Sequence, residues 1–231
     1  VTKNLPLIGR SIFFNKNNVD TAFNLVERYK ADDCHFVHVG TSMMYKQINQ
    51  LEYTVFSPMS GDGVYSQSKL RAQNHVNQIL KSATIIPCII GGEGREGLFT
   101  GFVRSIKKFG VVAFPGPGNH KINMVHVTDV AALILQVATI RAIGFFNAAA
   151  PEPLSIREWV SEIAHEIGVK SVLILPIPLS IVKLIAWLSG YRLLAREQVI
   201  MLEVAHVLSI KESIQIGWVP KFHNKKIVRD I

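Results

Sequence analysis

An unbroken apolar stretch of strand length, Ala83–Ile90, constrains this chain most. A strand with no polar alternation offers no face to water. Such a run suits a parallel strand covered on both faces, and parallel strands are joined by crossovers, usually helices. The flanking segments supply them. Val19–Tyr29 reads as an amphipathic helix with Val19, Phe23 and Val26 on one stripe. Val64–Lys81 has helical periodicity, with Leu70, His75, Val76 and Ile79 near one face. His35–Val39, Val111–Phe114, Met124–Val127 and Phe145–Ala148 read as short strands. Helices are predicted over Leu98–Phe109, Asp129–Thr139 (N-capped by Thr128) and Ile156–Ile167, where Ser155 and Glu158 form a capping box. Leu179–Ser189, Glu197–Ala205 and Ser209–Ile216 read as further helical pieces. Strands alternating with helices predict an α/β fold with a mostly parallel sheet.

The 231 residues suit one α/β domain, or one with a small lobe. Hydrophobic residues make up 48% and charged residues 18%, which excludes a disordered chain. The net charge of +8 raises the question of nucleic acid, but the cations are dispersed and their densest clusters are the pairs Lys107-Lys108 and Lys225-Lys226. No nucleic-acid partner is expected. Cys34 and Cys88 sit in apolar runs and read as reduced thiols of a cytoplasmic protein. No Cys/His spacing suits a metal. The apolar stretch Val172–Leu188 is interrupted by Pro176, Pro178 and Lys183. It reads as a buried or surface-docking helix, which leaves weak contact with a membrane surface open.

The chemistry-bearing signal is Tyr65-Ser66-Gln67-Ser68-Lys69, a YxxxK at the start of a predicted helix. Positions i and i+4 share a helix face about 6 Å apart. A lysine ammonium there lowers the pKa of a tyrosine phenol, which then serves as general acid or base near neutral pH. Alone the pattern is common by chance. Its context is a strand ending at Thr41, and parallel sheets place ligands beyond the carboxyl ends of their strands.

Taken together, these segments resemble the extended short-chain dehydrogenase/reductase family, which includes nucleotide-sugar epimerases and 3β-hydroxysteroid dehydrogenases. Asn18 through Leu25 resembles the family's helix before the catalytic strand. Phe36 through Tyr45 resembles that strand, with Thr41 at the active-site Ser/Thr position. Tyr65 and Lys69 match the catalytic pair. Ala83–Gly94, Asn123 through Ala131, and Ser209 through Pro220 are similar to later family segments in the same order. The resemblance implies a Rossmann-type doubly wound parallel sheet. Residues 1–150 would form this domain, interleaved after residue 90 with pieces of a small, mainly helical substrate lobe that occupies 151–231. It implies hydride transfer with NAD or NADP. Tyr65 would exchange the substrate hydroxyl proton, Lys69 would lower its pKa and hold the nicotinamide ribose, Thr41 would orient the reacting oxygen, and Asn18 would support the site. Pro87, Ile89 and Ile90 would flank the nicotinamide. A homodimer is also a family expectation.

There are departures. The family opens with a βαβ unit carrying GxxGxxG, and none precedes Thr41, so about 70 residues of the first mononucleotide-binding half are expected to be missing. Ile86 stands where the family usually has Arg. Gly92-Glu93-Gly94-Arg95-Glu96-Gly97 is literally GxGxxG, but no acid follows the next strand, and it reads as a loop lining the substrate side rather than a phosphate cradle. His126 reads as core support, Asp129 as a helix brace, and Trp159, Trp187 and Trp218 as packing residues. The apolar lobe points to a steroid- or flavonol-like substrate. A nucleotide sugar is the alternative, with Arg104, Lys107, Lys108 and Arg192 as candidate phosphate contacts. A non-catalytic scaffold of the same fold is a third reading.

Overall fold

The computed structural model describes residues 7–31, 33–48, 50–79, 81–94, 98–192, 199–200 and 203–231. The chain starts with α1 (Leu7–Phe14), a π-helical segment (Asn15–Asp20) and α2 (Thr21–Tyr29). Then come β1 (Phe36–Val39), a 3-10 turn (Ser42–Met44), α3 (Val64–Val76), β2 (Ser82–Pro87) and β3 (Ile89–Gly91). Next are α4 (Leu98–Phe109), β4 (Val111–Pro115), β5 (Lys121–Ile122), β6 (Met124–His126), α5 (Val127–Thr139) and β7 (Gly144–Ala148). The C-terminal part holds β8 (Leu154–Ser155), α6 (Ile156–Glu166), β9 (Leu173–Ile177), α7 (Leu179–Leu188), α8 (Lys211–Gln215) and α9 (Asn224–Arg229).

The main sheet is parallel, in the order β1-β2-β7. Its middle strand, β2, is buried along its whole length, as its unbroken apolarity predicts. On one side α5 contributes Val130, Leu133 and Val137 to a core with Ile85 and Phe146. On the other, Ala72 and Val76 of α3 meet Ala22 and Val26 of α2, with Phe36 of β1 against them. A second core joins Phe99 and Phe102 of α4, Phe114 of β4, and Trp159 and Ile163 of α6.

Several expectations need correction. The run 83–90 is two strands. Pro87 has no N–H with which to continue the ladder. Cys88 N–H makes the last bond, to Ala148 O at 3.1 Å, and β3 then leaves the sheet to pair with β6. Thr128 does not cap α5. The ring of His126 does, with Nδ1 accepting from the Thr128 N–H at 3.2 Å, so the helix starts at Val127. The helix over 64–81 stops at Val76. The predicted helix over 197–205 lies partly outside the described residues, and 203–205 are not helical. The helix expected over 172–188 forms only from Leu179; residues 173–177 are a strand paired in parallel with β4, with Pro176 in that strand and Pro178 between the two elements. Trp159 and Trp218 are packed inside, but Trp187 is 66% exposed.

Other local readings hold. Ser155 Oγ accepts from Glu158 N–H at 3.3 Å while the Glu158 carboxylate accepts from Ser155 N–H at 2.7 Å, which completes the capping box. Asp129 is a brace: its two carboxylate oxygens accept from the Lys221 and Phe222 N–H groups, each at 3.0 Å, and pin the C-terminal segment to α5. Cys34 and Cys88 are free thiols.

Candidate active site

The site forms where β1 ends and α3 begins. Gly63 is extended and its N–H donates to Ser66 Oγ at 3.0 Å, which fixes the helix start and puts Tyr65 in the first turn. Lys69 lies one turn on, on the same helix face. Its ammonium donates to the carbonyl of Val39, the last residue of β1, at 2.6 Å. Burial lowers the Lys69 pKa from the ordinary lysine value. Gly40 follows Val39, and a Cβ there would meet Met44 Cε at 2.6 Å. A larger residue here would displace the Met44 side chain. Thr41 caps the 3-10 turn, its Oγ1 accepting from Met43 N–H at 3.4 Å. As an acceptor in that bond, the hydroxyl keeps its own proton for a further partner. The turn packs against α3. The Lys69 ammonium thus lies at the carboxyl end of β1, where a parallel sheet places its ligand, with Thr41 in the turn that follows and Tyr65 one helical turn before Lys69 on α3.

Asn18 reaches the same group indirectly. Its Nδ2 donates to Ser68 Oγ at 2.8 Å, and Ser68 Oγ donates to Tyr65 O at 2.7 Å. Asn18 therefore holds the first turn of α3 rather than a reacting atom. It lies in the π-helical segment, where a helix read as starting at Val19 gave no hint of one; π-type insertions gather at functional sites. Phe14, which sequence reasoning missed, packs edge-on against the Tyr65 ring with centroids 5.2 Å apart.

His38 was also missed. Its signal was the two-residue alternation of β1, which puts it on the face of Phe36, toward α3. Burial, with the Lys69 ammonium beside it, pushes its pKa down to about 4. It stays neutral next to the lysine. Beneath the site, Tyr45 OH donates to Asn147 Oδ1 at 2.8 Å, and Asn147 Nδ2 donates to Ser209 O at 2.9 Å. Tyr45 stacks on Tyr53, which tilts against the His206 ring.

Pro87 ends β2, beside Ala148 of β7. Ile89 and Ile90 follow in β3, Ile90 packed against the first core and Ile89 against the second. All three leave the carboxyl end of β2, next to the end of β1. Gly92 and Gly94 of the GxGxxG loop have positive φ; Arg95, Glu96 and Gly97 lie outside the described residues. A Cβ at Gly92 would meet Val127 Cγ1 at 2.8 Å, so packing against α5 explains that glycine without a phosphate. Of the candidate phosphate cations, Lys107 and Lys108 are exposed in the last turn of α4, Arg104 is exposed one turn earlier, and Arg192 is exposed beyond α7. A separate cleft of about 460 Å³ is lined by Gln50, Leu51, Asn119, His120, Lys121 and Val207, among others.

Residues 9–147 match the model of the NAD dependent epimerase/dehydratase family. No curated protein matches the chain in sequence. Among solved structures, dTDP-glucose 4,6-dehydratase DesIV from Streptomyces venezuelae, with NAD and TYD bound, superposes with a TM-score of 0.75 at 19% identity, covering 96% of this chain and 67% of that one. UDP-glucuronic acid 4-epimerase from Bacillus cereus, in complex with NAD, gives 0.74 at 12% identity, covering 92% and 65%. RMD from Pseudomonas aeruginosa, complexed with NADPH, gives 0.70 at 17% identity, covering 90% and 69%. The chain spans about two thirds of the length of these structures. At such identities the likeness is one of fold, here the Rossmann-type α/β fold. With the family matched over more than half of the chain and that fold beneath it, the chain belongs to the NAD dependent epimerase/dehydratase family.

Proposed function

We propose that this chain carries the proton-transfer site of an NAD(P)-dependent epimerase or dehydratase acting on a nucleotide-linked sugar. The observation that carries the reading is Lys69, held by the Val39 carbonyl at the end of β1 one helical turn from Tyr65. An ammonium has three donors and Val39 takes one. The others suit ribose hydroxyls, so the residues present fit the nicotinamide-ribose end of the cofactor. NAD(P), when bound, supplies the hydride acceptor. Tyr65 exchanges the proton of the reacting hydroxyl. The Lys69 charge and the positive start of α3 both favour its phenolate. Thr41 donates its free hydroxyl proton to the reacting oxygen and orients it. Asn18, through Ser68, keeps the turn bearing Tyr65 in place. Pro87, Ile89 and Ile90 form an apolar wall for the nicotinamide.

The substrate class departs from the apolar one expected from composition. The hydrophobicity of 172–188 faces outward: Ile181, Leu184 and Trp187 are all exposed. The neighbouring structures named above include a dTDP-glucose dehydratase and a UDP-glucuronic acid epimerase. The cleft with His120 and Lys121 offers cationic and amide groups suited to a diphosphate. A ligand bound only by the native state stabilises it, by about 2.7 kcal/mol at 100 times its dissociation constant. UDP or dTDP is expected to raise the melting temperature of the whole protein by several degrees. An apolar secondary alcohol should leave it unchanged, and the opposite pattern would restore the apolar reading.

A further inference from the structure

We propose that the outer face of β9 and α7 docks onto an anionic lipid surface. Seven large apolar side chains within 16 residues, Leu173, Leu175, Ile181, Leu184, Ile185, Trp187 and Leu188, are each 44–69% exposed. On α7 they are ordered. Ile181, Leu184, Ile185 and Leu188 follow the i, i+3, i+4, i+7 spacing of one helix face. Val182 and Ala186, on the opposite face, are buried against the protein. This inverts the usual surface helix, whose outer face is polar. An exposed apolar helix face of this kind marks an interaction site.

The choice of occupant rests on charge. Between Glu166 and Glu197 the sequence has no acidic residue but carries Lys170, Lys183, Arg192 and Arg196. Lys183 pairs with Glu203, while Lys170 and Arg192 are exposed. Leu173 N–H donates to Gly110 O at 3.0 Å, so the end of α4, with exposed Lys107, Lys108 and Phe109, adjoins the start of β9. Apolar side chains rimmed by cations complement a bilayer interface with anionic headgroups. A two-fold dimer through this face would set cations against their own copies. Trp187 flanks the apolar stripe, where an indole suits the headgroup boundary. The helix has ten residues, and no helix among the described residues is long and apolar enough to cross a membrane. It would lie flat.

The test uses the whole protein with vesicles of phosphatidylcholine alone or mixed with phosphatidylserine. Trp159 and Trp218 are buried and Trp187 is exposed, so a shift of tryptophan emission to shorter wavelength reports burial of Trp187. The expected result is sedimentation with the anionic vesicles, that emission shift, and at least about tenfold weaker binding for Leu184→Gln/Leu188→Gln at an unchanged melting temperature. Absence of binding, binding indifferent to lipid charge, or binding unaffected by the double substitution would overturn the proposal. So would concentration-dependent dimerisation that the double substitution abolishes in a protein without vesicle affinity.

Discussion

Tyr65→Phe is expected to lower turnover by about 10²–10⁴-fold, the usual worth of a positioned acid–base group. It removes one oxygen and keeps the ring, so the edge contact with Phe14 survives. The helix start is held by Ser66 and by the Asn18–Ser68 pair. Any loss of stability should stay within about 1 kcal/mol, small beside the loss of turnover. Lys69→Met should lose turnover as well, and its residual activity should rise more steeply with pH, because the phenol must then ionise without the ammonium beside it. Wild-type turnover in Tyr65→Phe would remove the phenol from the mechanism.

Acidification is expected to destabilise the fold between pH 6.5 and 4, through His206 and His38. The His206 ring is 1% exposed, and burial pushes its pKa down to about 4. In the unfolded chain it titrates near 6.5. Between those values the unfolded state binds more protons than the native one, so stability rises with pH across the window and is lost on going down. A displacement of this size corresponds to about 3 kcal/mol. Nδ1 faces Gln47 Oε1 at 3.1 Å, Tyr53 tilts against the ring, and among the described residues the buried Nε2 has no partner. His38 acts in the same direction. Urea midpoints measured at pH 7, 5 and 4 should fall steadily for the wild type and clearly less for His206→Gln. Equal slopes for both would place the acid sensitivity elsewhere.

The parts of the fold legible in the sequence were those with strong local periodicity. β2 announced itself because a strand buried on both faces needs no polar residue, and α6 because Ser155 and Glu158 satisfy each other's backbone neighbours. Tyr65, Lys69 and Thr41 are proposed from four-residue spacing, a strand end and the family resemblance, and the spacing and strand end are local features. Features set by distant contacts were not. β9 forms because β4 lies beside it, and nothing in 173–177 shows that. Phe14 meets Tyr65 across 51 positions, from a helix that continues into a π-helical segment. His126 displaced Thr128 as cap because an imidazole acceptor looks, in sequence, like any core histidine. The apolarity of 172–188 was read correctly as composition, but its direction depends on which face Val182 and Ala186 turn inward.

In the proposed mechanism Tyr65, supported by Lys69, takes the proton from a hydroxyl oxygen of a nucleotide sugar, and NAD(P), when bound, would supply the hydride acceptor. The direct measurement mixes the whole protein with NAD or NADP and a panel of UDP- and dTDP-sugars, following the near-ultraviolet absorbance of the reduced nicotinamide. A transient rise with at least one nucleotide sugar, absent in Tyr65→Phe and absent with apolar secondary alcohols, is the predicted result. No reduction with any nucleotide sugar, or a signal of equal size in Tyr65→Phe, would contradict the account.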